Sequence, residues 1–191
     1  DKVGASGKAG YLWETKIVDE NGNAVARGEV GELALKGDGV MKCYYKNPEA
    51  TDELLKGEWL LTGDMAKEDE DGFIYLVDRK KDVIITGGEN LYPKEIEEFI
   101  YTHPAVQDVQ VIGVPDEQYG EAVMACVILK EGESMTEQEM MDFVRAHMAR
   151  LKVPKYVEFV DDFPKNAAGK ILKYKMREQA VEKLGLQKAA S

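Results

Sequence analysis

The sequence predicts an α+β protein, in which a small β-rich, distorted barrel-like subdomain is followed by a compact α+β domain. Short apolar runs bounded by glycine-containing turns fill the first 78 residues, whereas helical spacing alternates with strand-like runs after residue 93. Between the two parts, residues 78–97 combine a run of five charged residues at 78–82, a β-branched run, two adjacent glycines and Pro93. Glycines let backbone approach a ligand and proline presets a helix, so this joint predicts a domain boundary that also lines a site.

The first part of the chain is predicted to be strands joined by tight turns. The Asn21-Gly22 pair favours a hairpin-type turn because it accepts positive φ angles. Pro48 followed by acidic residues is typical of a helix start, since acids complement the helix dipole. These signals predict strands at 14–19, 29–37, 59–61 and 73–77, a helix at 48–55, and turns at 20–23 and 69–72.

The second part is predicted to mix helices and strands. The spacing of apolar residues predicts helices that bury Ile96, Phe99 and Ile100 on one face. Thr136 and Glu139 form a capping box, which predicts the start of another helix. The predicted helices are 93–102, one opening at 136 with Met140, Phe143, Val144, Met148 and Leu151 on its core face, and 173–184 with Met176, Ala180 and Leu184 at i, i+4 spacing; the predicted strands are 83–86, 106–114, 122–129 and 156–160.

Composition excludes several classes of function. The formal net charge of -11 argues against general nucleic-acid binding, although a local basic patch could hold a small phosphorylated ligand. Cys43 and Cys126 have only two histidine companions, so we expect no metal site in this chain. No apolar run approaches the roughly 18 residues of a membrane span, and we expect a cytoplasmic protein. The chain begins at Asp1 rather than Met, and we expect it to be a piece of a longer protein.

Two segments could carry chemistry. Residues 164–173 form a polar loop in which Gly169 precedes Lys170, a cation that could stabilise oxygens gaining negative charge during acyl or phosphoryl transfer. The alternative is a solvated basic loop. Asp64, after Thr62 and Gly63, could accept hydrogen bonds from two ribose hydroxyls, or it could be an ordinary turn residue.

Taken in order, these segments resemble the adenylate-forming superfamily, which contains acyl-CoA synthetases, firefly luciferases and the adenylation domains of peptide synthetases. The resemblance extends from Val25 to about Arg177, and residues 87–93 are most similar to the acyl-CoA ligase branch. Cys43 and Asp78 stand where family members often have glycine, which we treat as tolerated variation. The segments that carry the resemblance are 28–33, 40–51, 59–64, 78–97, 103–106 and the loop ending at 169–170.

The resemblance implies a role for each candidate residue. Asp64 would hold the ribose hydroxyls of ATP and of the acyl-adenylate, and Arg79 would lie near the same ribose or phosphate. Lys81 would be the hinge about which the smaller domain rotates between two half-reactions. Lys170 would contact the α-phosphate and the substrate carboxylate in the first half-reaction. In the second, a loop would line the tunnel for the pantetheine thiol of CoA; its residues are Gly87, Gly88 and Glu89.

The resemblance also predicts the organisation of the chain. Residues 1–78 would be the last segment of a large N-terminal domain, 79–82 the hinge, and 83–191 a mobile C-terminal lid. The family's Gly/Ser/Thr-rich phosphate loop, its aromatic-Gly-x-Thr-Glu segment and its acyl pocket have no counterpart in this sequence. We therefore expect the chain alone to be inactive, and we expect any Mg²⁺ of the complete enzyme to be held by residues outside it.

Three functions remain open from the sequence. The chain could belong to an acyl-CoA synthetase that activates a carboxylic acid, in the first instance a fatty acid, with ATP and CoA. It could belong to an adenylating enzyme that transfers the acyl group to a carrier-protein thiol or another nucleophile. It could instead be a non-catalytic module that binds nucleotide or CoA. The sequence specifies neither the acyl chain nor the oligomeric state.

Overall fold

The computed structural model describes residues 2–186 and divides the chain into two compact units between Lys81 and Asp82. The outer ends of the predicted ranges 1–78 and 83–191, at residue 1 and at 187–191, lie outside the described residues. Each unit contains its own five-stranded sheet. The predicted α+β class is confirmed.

The first unit is an antiparallel sheet organised around one long strand. β4 pairs with β2 along one edge, and with β3 and β5 along the other. β1 extends the sheet beyond β2. The elements of this unit are β1 (Trp13–Val18), β2 (Gly31–Gly37), α1 (Pro48–Leu54), β3 (Leu55–Lys56), β4 (Trp59–Glu68) and β5 (Ile74–Arg79).

The core of the first unit is small. It consists of the buried side chains Ile17, Leu33, Ala66 and Ile74. Helix α1 buries none of its residues and is stabilised locally, because Pro48 occupies its first turn and the Asn47 side chain accepts a hydrogen bond from Ala50 N. The loops and turns of this unit therefore depend strongly on polar contacts.

The second unit is a sheet covered on both faces by helices. A short hairpin leads into α2, and a long hairpin of β8 and β9 follows. Helix α3 then connects β9 to β10, which runs parallel to β9. The elements are β6 (Ile84–Thr86), β7 (Glu89–Leu91), α2 (Pro93–Ile100), β8 (Val106–Asp116), β9 (Gly120–Leu129), α3 (Glu137–Arg145), β10 (Tyr156–Phe159) and α4 (Lys173–Leu184).

Alternating residues of β8 and β9 separate the core of the second unit into two layers. On one face Val109 and Val111 pack with residues of α2 and α3, whereas on the other Ile112 and Val114 pack with residues of α4. The helical residues are Ile96, Ile100, Met140 and Val144 in the first layer, and Met176 and Ala180 in the second. Among residues 2–186, none of the helices has the length and apolar character needed to cross a membrane.

The predicted elements agree with the structure apart from four differences. Helix α3 ends at Arg145, so Met148 and Leu151, which were predicted on its core face, lie beyond the helix. The capping box of Thr136 and Glu139 is present, and α2 buries the predicted Ile96 and Ile100. Strand β7 was not predicted, because Glu89–Leu91 contains no β-branched residue. β4 continues well beyond residue 61, and Leu184 of α4 remains exposed instead of joining the core.

Candidate functional site

Asp64 and Arg79 lie directly opposite each other on neighbouring strands of the first unit. The Nε of Arg79 is 2.9 Å from Oδ1 of Asp64, and the Asp64 side chain is 27% exposed. Within the described part of the chain, Oδ2 of Asp64 has no hydrogen-bond partner. The pair therefore presents a carboxylate oxygen that can accept hydroxyl donors beside a guanidinium that can contact an anion.

A bulge in β4 places Asp64 at this position. Between the pairs Ala34–Leu61 and Glu32–Met65, three residues of β4 face the single residue Leu33 of β2. Gly63 supplies the left-handed conformation at φ 72°. The Thr62 hydroxyl closes the bulge, since it donates to the Leu33 carbonyl at 2.8 Å and accepts from Asp64 N at 3.1 Å.

Glu32 fixes the bulge from inside the sheet, a role that the sequence analysis missed. Its side chain is only 6% exposed, and Oε2 pairs with Nζ of Lys80 at 2.8 Å. The other carboxylate oxygen accepts from Gly63 N at 2.9 Å. A cavity of about 470 Å³ next to this pair is lined by Gly63, Arg79 and Lys80 among others. No pattern in the sequence distinguishes Glu32 from an exposed strand residue.

Lys81, the predicted hinge residue, is exposed at the division between the units. It is the middle residue of a 3-10 turn, Lys80–Asp82, that joins β5 to the second unit. On the far side of the turn, Arg177 of α4 pairs with Asp82 at 2.9 Å. The first residue of the second unit is thereby tied to the helix that follows the Lys170 loop.

Gly87, Gly88 and Glu89 form the tip of the hairpin of β6 and β7. The φ angles are 57° at Gly87 and 82° at Gly88, which a turn between two short strands requires. A Cβ atom at Gly87 would lie 3.4 Å from the Tyr119 ring, whereas one at Gly88 would meet no atom within 4 Å. Both glycines are therefore required by the turn itself, and all three residues are exposed.

Lys170 stands on a tight turn whose backbone is fixed by Asn166. The Asn166 side-chain oxygen accepts from Ala168 N at 3.0 Å and from Lys170 N at 2.9 Å. Asn166 N also donates to the Lys170 carbonyl at 2.9 Å. Gly169 adopts φ 79°, which closes the turn. The hydrogen bonds with Asn166 thus fix the backbone of Lys170, and the Lys170 side chain is exposed.

Ion pairs neutralise most of the cations around Lys170. Lys165 pairs with Asp162, Lys173 with Glu97 and Arg177 with Asp82. Among the described residues, Lys170 and Lys175 of this group have no carboxylate within ion-pair distance. An exposed lysine on a fixed turn is suited to contact oxygens of a ligand that carry negative charge.

The predicted site residues fall into two sets. Asp64, Arg79 and Lys81 belong to the first unit, and the second unit carries Lys170 and the hairpin tip. Within residues 2–186, no group of three His, Cys, Asp or Glu side chains could hold a metal ion.

Comparison with known proteins identifies the larger part of the second unit. Residues 95–170 match the family described as AMP-binding enzyme C-terminal domain. These residues belong to that family. Lys170 is the last residue of this AMP-binding C-terminal domain that the match includes.

The similarity extends beyond the AMP-binding C-terminal domain to nearly the whole chain. The long-chain-fatty-acid-CoA ligase of Salmonella typhimurium is 48% identical over 167 residues, which are 87% of this chain and 30% of the ligase. The chain spans about a third of the length of the curated relatives it matches.

Two solved structures share this fold. ATP-bound MatB from Rhodopseudomonas palustris has a TM-score of 0.87 and 39% identity, over 94% of this chain and 36% of that one. The amide bond synthetase McbA from Marinactinospora thermotolerans has a TM-score of 0.84 and 38% identity, over 93% of this chain and 36% of that one.

Proposed function

We propose that this chain is the C-terminal part of an AMP-forming acyl-CoA synthetase. The complete enzyme would activate a carboxylic acid, in the first instance a fatty acid, with ATP to give acyl-AMP and pyrophosphate, and would then transfer the acyl group to CoA. The observation that carries this proposal is the unneutralised cation of Lys170 on a turn that Asn166 fixes. The 48% identity to a long-chain-fatty-acid-CoA ligase supports the choice of substrate class.

In the proposed first half-reaction, an oxygen of the substrate carboxylate attacks the α-phosphorus of ATP, and pyrophosphate leaves. Lys170 contacts the carboxylate and the α-phosphate, so that it both aligns them and offsets the charge that develops on the oxygens. Asp64 accepts the ribose hydroxyls through the carboxylate oxygen that Arg79 does not occupy. Positioning and electrostatic stabilisation account for most of the catalysis in such a transfer.

In the proposed second half-reaction, the thiol of CoA attacks the acyl carbonyl, and AMP leaves. The tip formed by Gly87, Gly88 and Glu89 lines the passage for the pantetheine arm. Its supporting features are the absence of side chains on the two glycines and the exposure of the tip. Rotation about Lys81 moves the loop of Lys170 away from the bound adenylate and brings this tip to it.

The proposed organisation follows from these roles. Residues 1–78 complete the large domain, 79–82 form the hinge and 83–191 form the lid. The phosphate loop, the acyl pocket and the ligands of Mg²⁺ belong to the rest of the enzyme. We place the enzyme in the cytoplasm, a reducing setting that suits the free thiols of Cys43 and Cys126. The purified chain should form no acyl-AMP, and acyl-AMP formation by it would overturn this organisation.

The test is the Lys170→Ala substitution in the full-length protein that contains this chain. Pyrophosphate exchange and thioester formation are measured over a panel of carboxylic acids, with preformed acyl-adenylate as a separate substrate for the second step. Because Lys170 acts on the α-phosphate, we expect adenylation to fall by at least about 100-fold while thioester formation from adenylate stays near wild type.

Lys175→Ala is the matched control, because Lys175 is an exposed lysine five residues away that also has no carboxylate partner among the described residues. Its substitution should leave both half-reactions unchanged. Equal loss of both steps in Lys170→Ala would contradict the proposed role, and the same loss in Lys175→Ala would show a general charge effect.

A different acceptor is the second candidate. The similarity to McbA, which is named an amide bond synthetase, supports this candidate. If the full-length protein forms adenylate that CoA never accepts, a carrier-protein thiol or an amine replaces CoA in the proposal. If the full-length protein binds nucleotide without pyrophosphate exchange, the chain is part of a non-catalytic binding module.

A further inference from the structure

The turn between β8 and β9 holds the hairpin of β6 and β7 in place. Gly87 N donates to the Tyr119 carbonyl at 2.9 Å, and Ile85 N donates to Oε2 of Glu121 at 2.7 Å. The backbone pairing of β6 with β9 consists of the single pair Thr86–Gly120. The Glu121 carboxylate thus supplies an acceptor for Ile85 N where the backbone ladder ends.

The Glu121 carboxylate packs against Gly113 of the neighbouring strand β8. A Cβ atom at Gly113 would lie 3.0 Å from Oε1 and 3.1 Å from the carboxyl carbon of Glu121. Unlike Gly87 and Gly88, Gly113 has no left-handed φ angle, so its backbone conformation does not require glycine. A larger residue at position 113 would instead press on the Glu121 side chain.

The turn that precedes Glu121 is held by contacts of its own. Asp116 is buried, and its Oδ1 accepts from Gln118 N at 3.0 Å and from Tyr119 N at 2.9 Å. Its other oxygen pairs with Lys155, which lies just before β10. These contacts fix the Tyr119 carbonyl and the Glu121 carboxylate, which accept hydrogen bonds from the hairpin of β6 and β7.

We propose that Glu121 is a positioning residue, which holds Ile85 N and thereby sets the place of the Gly87-Gly88 tip for the acceptor thiol. The inference rests on the proposed function, because that function assigns the tip to the second half-reaction. Glu121 lies at the start of β9, next to the β8–β9 turn, and Lys170 lies on a separate turn anchored by Asn166. Loss of Glu121 therefore displaces the tip and leaves the adenylation machinery intact.

The contact itself is tested by amide exchange in the 191-residue chain, with NMR detection at Ile85. Glu121→Ala should speed exchange at Ile85 by about tenfold, the equilibrium shift expected from the loss of one hydrogen bond. Glu121→Gln keeps an acceptor oxygen and should restore most of the protection. Glu117→Ala removes an exposed acid of the β8–β9 turn and should change nothing. Unchanged exchange in Glu121→Ala would overturn the contact.

The functional role is tested in the full-length protein with the two half-reactions measured separately. Because the tip moves relative to the thiol, Glu121→Ala should raise KM for CoA on the order of tenfold, with adenylation within about twofold of wild type. Glu121→Gln should lie near wild type. Loss in both half-reactions, or in neither, would overturn the positioning role.

Gly113→Ala supplies an independent perturbation. The added methyl group requires the Glu121 carboxylate to shift by a few tenths of an ångström, and this shift should raise KM for CoA in the wild-type background. In the Glu121→Ala background that obstacle is gone, and Gly113→Ala should have no further effect. Additive effects of the two substitutions would contradict the inference.

Failure of the proposed function gives a different result. If the wild-type protein forms adenylate but no CoA thioester, the acceptor assigned above is wrong, and the exchange experiment at Ile85 still decides the contact. If the wild-type protein forms thioester and Glu121→Ala retains the wild-type KM for CoA, the positioning role alone is wrong.

Discussion

Single polar side chains fix the loops on which the proposed site residues stand. Glu32 holds the bulge that presents Asp64, Asn166 holds the turn of Lys170, and Glu121 holds the hairpin tip. In each case a side-chain oxygen accepts backbone N–H groups that the local fold leaves unpaired. Such groups cost free energy when unsatisfied, so each of these side chains determines one local backbone conformation.

The Asp116 carboxyl should make the stability of the fold depend on pH. The hydrogen bond from Lys155, together with those from the backbone at Tyr119 and Gln118, lowers the pKa of Asp116. Its stabilisation of the fold is present above the unfolded-state pKa of about 4 and is lost as pH falls through the lower folded-state pKa. The stability advantage of wild type over Asp116→Asn should be constant at neutral pH and shrink below about pH 4.

Urea unfolding followed by circular dichroism from pH 2.5 to pH 7 measures this difference. Asp161→Asn is the control, because it removes the charge of an exposed aspartate of the same unit. An advantage over Asp116→Asn that grows as pH falls would contradict the assignment.

The sequence reveals the helices well because their signals are local. The spacing of Ile96 and Ile100 and the capping box at Thr136 each lie within one or two helical turns, and both predictions are confirmed. The extent of β4 was not predictable in this way, because Gly63 is typical of a turn and only its pairing with distant β2 keeps it in a strand. Leu184 fits the helical spacing but is exposed in the structure.

The site was predictable only in part, for the same reason. Asp64, Arg79 and Lys170 could be named from their motifs, and their roles stay proposals. The supports Glu32 and Glu121 could not be named, since each acts on a backbone group of another strand. The contact between Glu121 and Ile85 spans 36 positions in sequence. No local pattern records a contact at such a separation.

The start of α4 is connected to α2 and β8 through the Glu97 carboxylate. Oε1 of Glu97 on α2 accepts from Val111 N of β8 at 2.8 Å and from Nζ of Lys173 at 2.7 Å. The Glu97 carboxylate thus connects α2, β8 and the start of α4. Lys173, its partner on α4, is three residues after Lys170. Glu97→Ala leaves a partly buried amide and a partly buried ammonium unsatisfied, and should destabilise the second unit by about 1–3 kcal/mol.

Thiol labelling of Cys126 measures this loss in a Cys43→Ser background. Burial raises the pKa of Cys126 to about 12, so the thiol reacts only when the second unit opens. Glu98→Ala, which removes the exposed neighbour of Glu97, should cost less than about 0.5 kcal/mol. Equal labelling rates for Glu97→Ala and Glu98→Ala would show that the three-way contact does not stabilise the unit.

At the scale of the whole molecule, each unit has a hydrophobic core of its own. Both tryptophans, Trp13 and Trp59, belong to the first unit, and Cys126 belongs to the second. We therefore expect tryptophan fluorescence and Cys126 labelling to give separate transitions in urea, because two cores need not unfold together. Glu97→Ala should move only the Cys126 transition. Two coincident transitions that shift together in this variant would contradict independent cores.

The topology of the second unit also sets a time order for its assembly. β8 and β9 are neighbours in the chain and need only a short loop to pair, whereas β10 reaches β9 after the whole of α3. Hairpins close faster than parallel crossovers, because less chain entropy is lost before the first contacts form. We therefore expect the β8–β9 hairpin that carries Glu121 to form before the strand that leads to the Lys170 turn. In a nascent or refolding chain, we expect the support for the hairpin tip to form before the turn that carries Lys170 is fixed.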